Sequence, residues 1–107
     1  MAIFSEQVAR AWVNFNGQNT IAIRDSFNVS SITDNGTGDY TISFSTAMAN
    51  TNYSVTGNNT YLMGTVPRYQ TLSPYVWATG SIRVITGYNN MSAENPEAAS
   101  VVVFGDV

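Results

Sequence analysis

The chain has 107 residues and a formal net charge of −3; 44% of the residues are hydrophobic and only 10% are charged. This length suits one domain with a buried core, and the balance of apolar and charged residues excludes a disordered chain. Histidine, cysteine and lysine are absent, which excludes Ser-His-Asp triads, thiolate nucleophiles, Schiff-base lysines and zinc sites made of the usual ligands.

Strand-forming residues dominate the rest of the composition. Valine, isoleucine and threonine together number 30, whereas leucine occurs only at Leu62 and Leu72. Branched Cβ atoms suit a pleated strand, and leucine favours helices. The composition therefore predicts an all-β protein.

The first half of the chain alternates polar and apolar residues in short segments. We expect residues 1–9 to be a lead-in segment and residues 10–107 to be a single all-β domain. The alternation predicts strands over residues 10–16, 20–24, 27–33 and 40–45. A slip of one residue at Ser30-Ser31 predicts a β-bulge, and the glycine-rich run 34–39 predicts a hairpin turn.

The second half has weaker alternation but clear turn signals. The predicted elements are, in order, a strand at Tyr53 and Val55, a strand over 61–66, a proline-containing loop over 67–74, a hairpin of 75–78 with 81–88, an exposed loop over 89–96, and a last strand over 99–104. In that last strand four consecutive apolar residues predict burial on both faces.

This pattern of eight or nine short strands predicts one antiparallel β-sandwich or a Greek-key-like barrel. Its inward positions follow from the strand alternation. The expected core includes Phe15, Ile21, Phe27, Val29, Ile32, Tyr40, Ile42, Phe44 and Val55.

The charged residues do not form an obvious reactive site. Asp34 and Asp39 flank a glycine-rich run but lack the alternate oxygen ligands of an EF-hand, so a hairpin turn is favoured over calcium binding. No two of the seven carboxylates are placed by sequence across a cleft, as a glycosidase requires. We therefore expect no enzyme activity, no cofactor and no metal.

The four cations are arginines scattered along the chain, so we expect no nucleic-acid partner. No apolar run approaches the length of a membrane span, so we expect no membrane insertion. Arg83, in the middle of a predicted strand, either pairs with a carboxylate across a subunit interface or lies on the solvated face, and the solvated face is favoured.

Tyrosines, amides and one arginine gather in the predicted loops of the second half. This combination is typical of sugar recognition, in which an aromatic face is joined by hydrogen-bonding groups. The alternatives are that the aromatic rings fill the core with polar tips outward, or that the polar residues merely keep an oligomer soluble. The candidate ligand-binding residues are Asn59, Arg68, Tyr69, Tyr88, Asn89 and Asn90.

Two segments of the chain resemble a known family. The first consists of the run from Ala11 to Gly17, AWVNFNG, and the run from Ser26 to Tyr40, SFNVSSITDNGTGDY; the second is the ending SVVVFGD from Ser100 to Asp106. Both resemble a C-terminal domain of tail-fibre and related virion structural proteins of bacteriophages, many of them marine. The resemblance implies a homotrimer displayed on the virion, with host-cell surface molecules and other virion proteins as partners.

Two functional expectations follow from the residues and the resemblance. The first is a non-enzymatic tail-fibre tip domain that binds a host surface polysaccharide or outer-membrane protein. The second is a purely structural virion component, a capsid decoration or a fibre-assembly cap, without a ligand. In either case we expect copies of the chain to meet at Val101, Val102, Val103 and Phe104.

Overall fold

The computed structural model describes residues 7–64, 70–88 and 92–107, and these residues form nine strands. The strands are β1 (Ala11–Asn16), β2 (Ala22–Phe27), β3 (Val29–Gly36), β4 (Asp39–Phe44), β5 (Ser54–Thr60), β6 (Gln70–Trp77), β7 (Ser81–Tyr88), β8 (Ser92–Ala93) and β9 (Ala98–Phe104). The predicted all-β class is therefore confirmed.

The strands form two antiparallel sheets. The first sheet has the order β2-β1-β9-β5, and the second has the order β3-β4-β7-β6, with the short β8 also paired to β7. The inner faces of both sheets supply one core cluster, as in a β-sandwich. The consecutive strands β3 and β4 and the consecutive strands β6 and β7 are hairpins.

The core follows the two-residue period of the strands. β1, β4, β7 and β9 each bury every second side chain, because successive side chains of a strand point to opposite faces. The rings of Phe15 and Tyr40 meet edge to face at 5.1 Å across the two sheets, and those of Phe44 and Tyr53 at 5.8 Å. Burying each such ring contributes on the order of 1.5–3 kcal/mol.

Most of the predicted core is confirmed, with one error. Four of the nine residues are buried and another four pack partly buried against them: Phe15, Tyr40, Ile42 and Phe44, then Ile21, Val29, Ile32 and Val55. Phe27, however, is 54% exposed. It ends β2 on the outer face, opposite Trp12, instead of beginning the next strand.

The chain crosses from the first sheet to the second at a single residue, Asn28. Its φ of 56° lies in the left-handed region, which asparagine tolerates better than most residues. Its Nδ2 donates to the carbonyls of Arg10 and Thr46, both at 3.0 Å, and its Oδ1 accepts from the Thr46 amide at 2.6 Å. Asn28 therefore ties both sheets together at this edge.

The predicted hairpins and bulge are confirmed. β3 and β4 pair around the glycine-rich turn, and their register shifts between Val29 and Ser31, at the predicted bulge. Gly36 and Gly38 both have positive φ, at 131° and 67°, which a glycine adopts without steric cost. β6 and β7 form the second predicted hairpin.

Three predicted elements of the second half are partly wrong. Residues 70–74 belong to strand β6 instead of a loop; Pro74 is tolerated there because β6 is an outer strand and is bulged at this point. Residues 61–64 are bends and turns instead of a strand. In the predicted exposed loop 89–96, residues 92–93 form β8 and Pro96 is fully buried. Residues 65–69 and 89–91 lie outside the described residues.

The last strand β9 lies between β1 and β5 and alternates in the usual way. Val101 and Val103 are each 1% exposed in the core, whereas Val102 is half-buried and Phe104 is 38% exposed. The prediction of burial on both faces is therefore wrong within this chain, because no second layer among the described residues covers the outer face of the first sheet.

Candidate functional site

A polar pocket of about 410 Å³ opens at one end of the sandwich. The β1–β2 loop, the β3–β4 turn, the segment after β5 and the segment after β8 meet there. The described lining residues are Gln18, Asn19, Thr37, Tyr61, Leu62, Ala93, Glu94 and Asn95. We call this the end pocket.

Asn95 anchors the wall of the end pocket to the core. Its Oδ1 accepts hydrogen bonds from the Gly38 amide at 2.8 Å and from the Tyr40 hydroxyl at 2.9 Å. The Gln18 amide group donates to the carbonyls of Tyr61 and Asn95, at 2.7 and 3.2 Å. Burial, with a smaller contribution from the charge of Asp34, raises the pKa of Tyr40 to about 12, so this hydroxyl stays protonated at neutral pH.

Gly38 permits the close contact between the β3–β4 turn and the β8 segment. A Cβ on this residue would lie 2.4 Å from the Thr86 carbonyl oxygen and 2.9 Å from that of Glu94. Because Gly38 has no Cβ, the backbones come close enough for the Thr86 amide to donate to the Gly38 carbonyl at 2.7 Å. The Thr86 hydroxyl donates to the Glu94 carbonyl at 2.8 Å. The Glu94 amide in turn donates to the Thr86 carbonyl at 3.2 Å, so the backbone of Glu94 is held at the pocket from both sides.

A chain of side-chain hydrogen bonds runs from the interior to the pocket. Asn59 Nδ2 donates to Gln70 Oε1 at 3.0 Å, and Gln70 Nε2 donates to Glu94 Oε1 at 3.2 Å. Asn59 Oδ1 is buried and accepts no hydrogen bond from the residues that the structure describes. The predicted ligand-binding residue Asn59 is thus half-buried and acts through Gln70 on the carboxylate of Glu94.

Of the other predicted ligand-binding residues, the structure describes Tyr88. Tyr88 is half-buried at the end of β7, and its backbone pairs with Gln70 on one side and Ser92 on the other. Arg68, Tyr69, Asn89 and Asn90 lie outside the described residues. Glu94 and Asn95 belong to the loop 88–96, which was predicted to carry ligand contacts, although neither residue was singled out. Sequence reasoning missed Gln18, Asn19 and Thr37, because their loops are distant in sequence and only the strand topology brings them to the pocket.

The chemistry of the end pocket is that of polar recognition. Amides, a threonine hydroxyl and a tyrosine provide donors and acceptors, and Glu94 is the one charged group among the described lining residues. Sites that fix a polar ligand commonly use a few such groups on a rigid frame. The arrangement suits a neutral, hydroxyl-rich ligand.

A second polar cluster lies on the outer face of the second sheet. Arg83 donates from Nε and from its terminal amine to the two Asp39 carboxylate oxygens, both at 2.9 Å. The Tyr75 hydroxyl lies 2.9 Å from both of those oxygens, and the Arg83 guanidinium lies 5.3 Å from the centre of the Tyr75 ring. Hydrogen bonds from Arg83 lower the pKa of Asp39 below its usual 3.8, and burial opposes them. Arg83 therefore lies on a partly exposed outer face, as the favoured prediction had it, and it pairs there with a carboxylate of the same chain.

The predicted oligomer contact divides between the two faces of β9. Val101 and Val103 are enclosed in the core of the chain itself. Val102 lies on the outer face in a cross-strand row with Trp12 and Phe27, and Phe104 lies on the same face next to Ser54. Only this outer pair is available to a second copy, so the oligomer contact stays a prediction for Val102 and Phe104.

No family model matches the chain, and neither the curated proteins nor the solved structures provide a match to it. Among residues 7–64, 70–88 and 92–107, no helix is long and apolar enough to cross a membrane.

Proposed function

We propose that the chain is a non-enzymatic receptor-binding module, displayed at a tail-fibre tip or another exposed part of a phage virion, which binds a host surface polysaccharide or outer-membrane protein. The single observation that carries the proposal is the end pocket, where four loop segments converge on a rigid frame around polar side chains. Recognition residues concentrate in loops on such frames. The resemblance of residues 11–17 and 26–40 to phage fibre domains supports the virion setting.

The experiment is a cell-binding and adsorption assay with the purified chain. Asn19→Gly and Glu94→Gln alter the end pocket at residues that do not fill the core, and glycine accommodates the φ of 57° at position 19. Thr51→Ala, exposed in the loop before β5, is the matched control. We expect the wild-type chain and the control to bind susceptible cells and to block phage adsorption, and the two pocket variants to bind less. Wild-type chain that neither binds such cells nor blocks adsorption would contradict the proposal.

The second candidate is a purely structural virion component, and a specific observation favours it. The outer face of the first sheet exposes Phe27 and Phe104, and an apolar pocket of about 470 Å³ lies beside Phe27 between Val8 and Val107. Apolar surface of this kind marks protein contacts. The same surface supports the proposed homotrimer, since a cyclic assembly buries the equivalent apolar surface of every copy.

The assembly proposal has its own measurement. Phe27→Ser removes apolar surface that the core does not need, because the side chain is more than half exposed. We expect light scattering to give a trimer for the wild-type chain and a smaller species for the variant. The 11.6 kDa monomer for the wild-type chain at micromolar concentration would remove the trimer from the proposal.

A further inference from the structure

The outer face of the second sheet carries an aromatic and apolar surface that the end pocket does not include. The register of β6 shifts between Pro74 and Val76, and such a bulge turns two neighbouring side chains towards one face. Val76 pairs with Arg83 on that face, and Tyr75 reaches Asp39 there. Together with Ile85 of β7, these two residues form what we call the β6 platform.

The Tyr75 ring of the β6 platform is held in one orientation. Its hydroxyl lies 2.9 Å from both oxygens of Asp39, and the guanidinium of Arg83 stacks on the ring at 5.3 Å. The residue is nevertheless 42% exposed. A surface side chain with this many restraints is pre-organised, so a ligand that stacks on it loses little side-chain entropy on binding.

The charges around the β6 platform cancel. Asp39 and Arg83 form a bidentate pair, so neither presents a full charge to a ligand. Hydroxyls surround the platform, because Thr41 lies beside Arg83 in the register and Ser73 beside Ile85. An aromatic ring with aliphatic neighbours and a rim of hydroxyls complements a ligand with one apolar face and uncharged polar edges.

The exposed area of the β6 platform fits a sugar ring better than a protein partner. Tyr75, Val76 and Ile85 are 42%, 46% and 40% exposed. Together they expose roughly 250 Å², given the ~150–250 Å² that one large side chain can bury. A stable protein interface takes about 800 Å² from each partner, whereas a pyranose ring covers an area of the platform's size.

We infer that the β6 platform is a carbohydrate-binding site for a neutral pyranose, stacked on Tyr75 against Val76 and Ile85. The inference deepens the proposed receptor-binding function, on which it rests for the source of the ligand, by naming a ligand class and a second contact surface. A pyranose ring is common to most neutral glycans, so simple oligosaccharides are sufficient probes.

The test is an amide-resolved NMR titration of the purified chain with maltotriose, cellotriose and chitotriose. We expect at least one trisaccharide to shift the amides of Tyr75, Val76 and Ile85 at millimolar concentration. Tyr75→Ala and Val76→Ser should each weaken that binding at least tenfold, whereas Tyr75→Phe, which keeps the ring, should weaken it only a few-fold. Thr51→Ala, exposed in the loop between β4 and β5, should bind as the wild-type chain does.

Three outcomes would overturn the inference. These are the absence of shifts at the three platform amides with every trisaccharide, undiminished binding by a folded Tyr75→Ala, and shifts produced there by an extended peptide but by no sugar. The cell-binding assay separates this failure from that of the proposed function. If Glu94→Gln reduces cell binding while Tyr75→Ala does not, the platform is wrong and the receptor-binding function stands.

Discussion

The buried hydroxyl of Tyr40 offers a measurement of how firmly the end pocket is joined to the core. Tyr40→Phe deletes one oxygen, which lies 2.9 Å from Asn95 Oδ1 and 3.3 Å from the Gly17 carbonyl oxygen. Asn95 keeps its bond from the Gly38 amide, so the variant should lose one hydrogen bond, worth about 1 kcal/mol at pH 7. For a domain of this size that corresponds to a fall in Tm of about 5 °C.

The pH dependence of the free energy of unfolding distinguishes the loss of this hydroxyl from a loss of packing, because only the hydroxyl titrates. The pKa of Tyr40 is raised from 10.0 to about 12 in the folded chain, so between these values the folded state holds a proton that the unfolded state has lost. The wild-type free energy of unfolding therefore falls as pH rises above 10, by about 1 kcal/mol at pH 11. Tyr53 also has a raised pKa, but it is present in both proteins and cancels from their difference.

Urea denaturation followed by circular dichroism at pH 7, 9 and 11 measures both effects. We expect the variant to be less stable at pH 7 and the two proteins to converge near pH 11. A constant difference across this range would refute the reasoning, because it would mean that the hydroxyl does not titrate from a buried site.

Three further predictions concern Gly38 in the β3–β4 turn, Asn28 at the sheet crossover, and Asp39 in the polar cluster on the outer face of the second sheet. Gly38→Ala should prevent stable folding, because its Cβ would meet backbone oxygen at 2.4 Å, whereas Gly80→Ala, with open space around it, should change the free energy of unfolding by less than about 0.5 kcal/mol in a urea titration. Asn28→Ala should cost about 2–3 kcal/mol by the same assay, and Asn28→Gly less, since glycine relieves the positive φ while losing the same side-chain bonds. Asp39→Asn should lower Tm at pH 7 and should make the free energy of unfolding depend less on pH in the acid range, which is the acid limb of the stability curve. The depressed pKa of Asp39 means that the unfolded wild-type chain takes up protons first, so wild-type stability is lost as pH falls below 3.8. An unchanged acid limb in Asp39→Asn would contradict this assignment.

Local signals in the sequence predicted the hairpins well. The glycine-rich turn between β3 and β4 and the bulge at Ser30-Ser31 follow from residues next to each other in the chain. Phe27 was misassigned because Asn28 has no sequence signature of a sheet crossover, so that Phe27 and Val29 read as one strand although they lie in different sheets. The burial of Pro96 depends on contacts with the distant Gly17.

The candidate site was less predictable than the fold. The sequence indicated that the loops of the second half carry recognition residues, and Asn59 does act on the end pocket through Gln70. It could not indicate Gln18 or Thr37, because their place in the pocket depends on which strands are neighbours. The β6 platform was equally hidden, since the bulge at Pro74 and the reach of Tyr75 to Asp39 are tertiary features.

The start of β1 and the end of β9 lie side by side, which affects how the domain responds to force. β1 starts and β9 stops at the same end of the sandwich, joined by a bond from the Arg10 amide to the Val103 carbonyl at 2.8 Å, and the end pocket is at the other end. A pull between Arg10 and Phe104 opens the β1–β9 ladder one bond at a time. A pull between the terminal end and the end pocket runs along the strands and strains many ladder bonds in shear at once. This geometry therefore predicts that the domain resists a pull between its opposite ends better than a pull between Arg10 and Phe104.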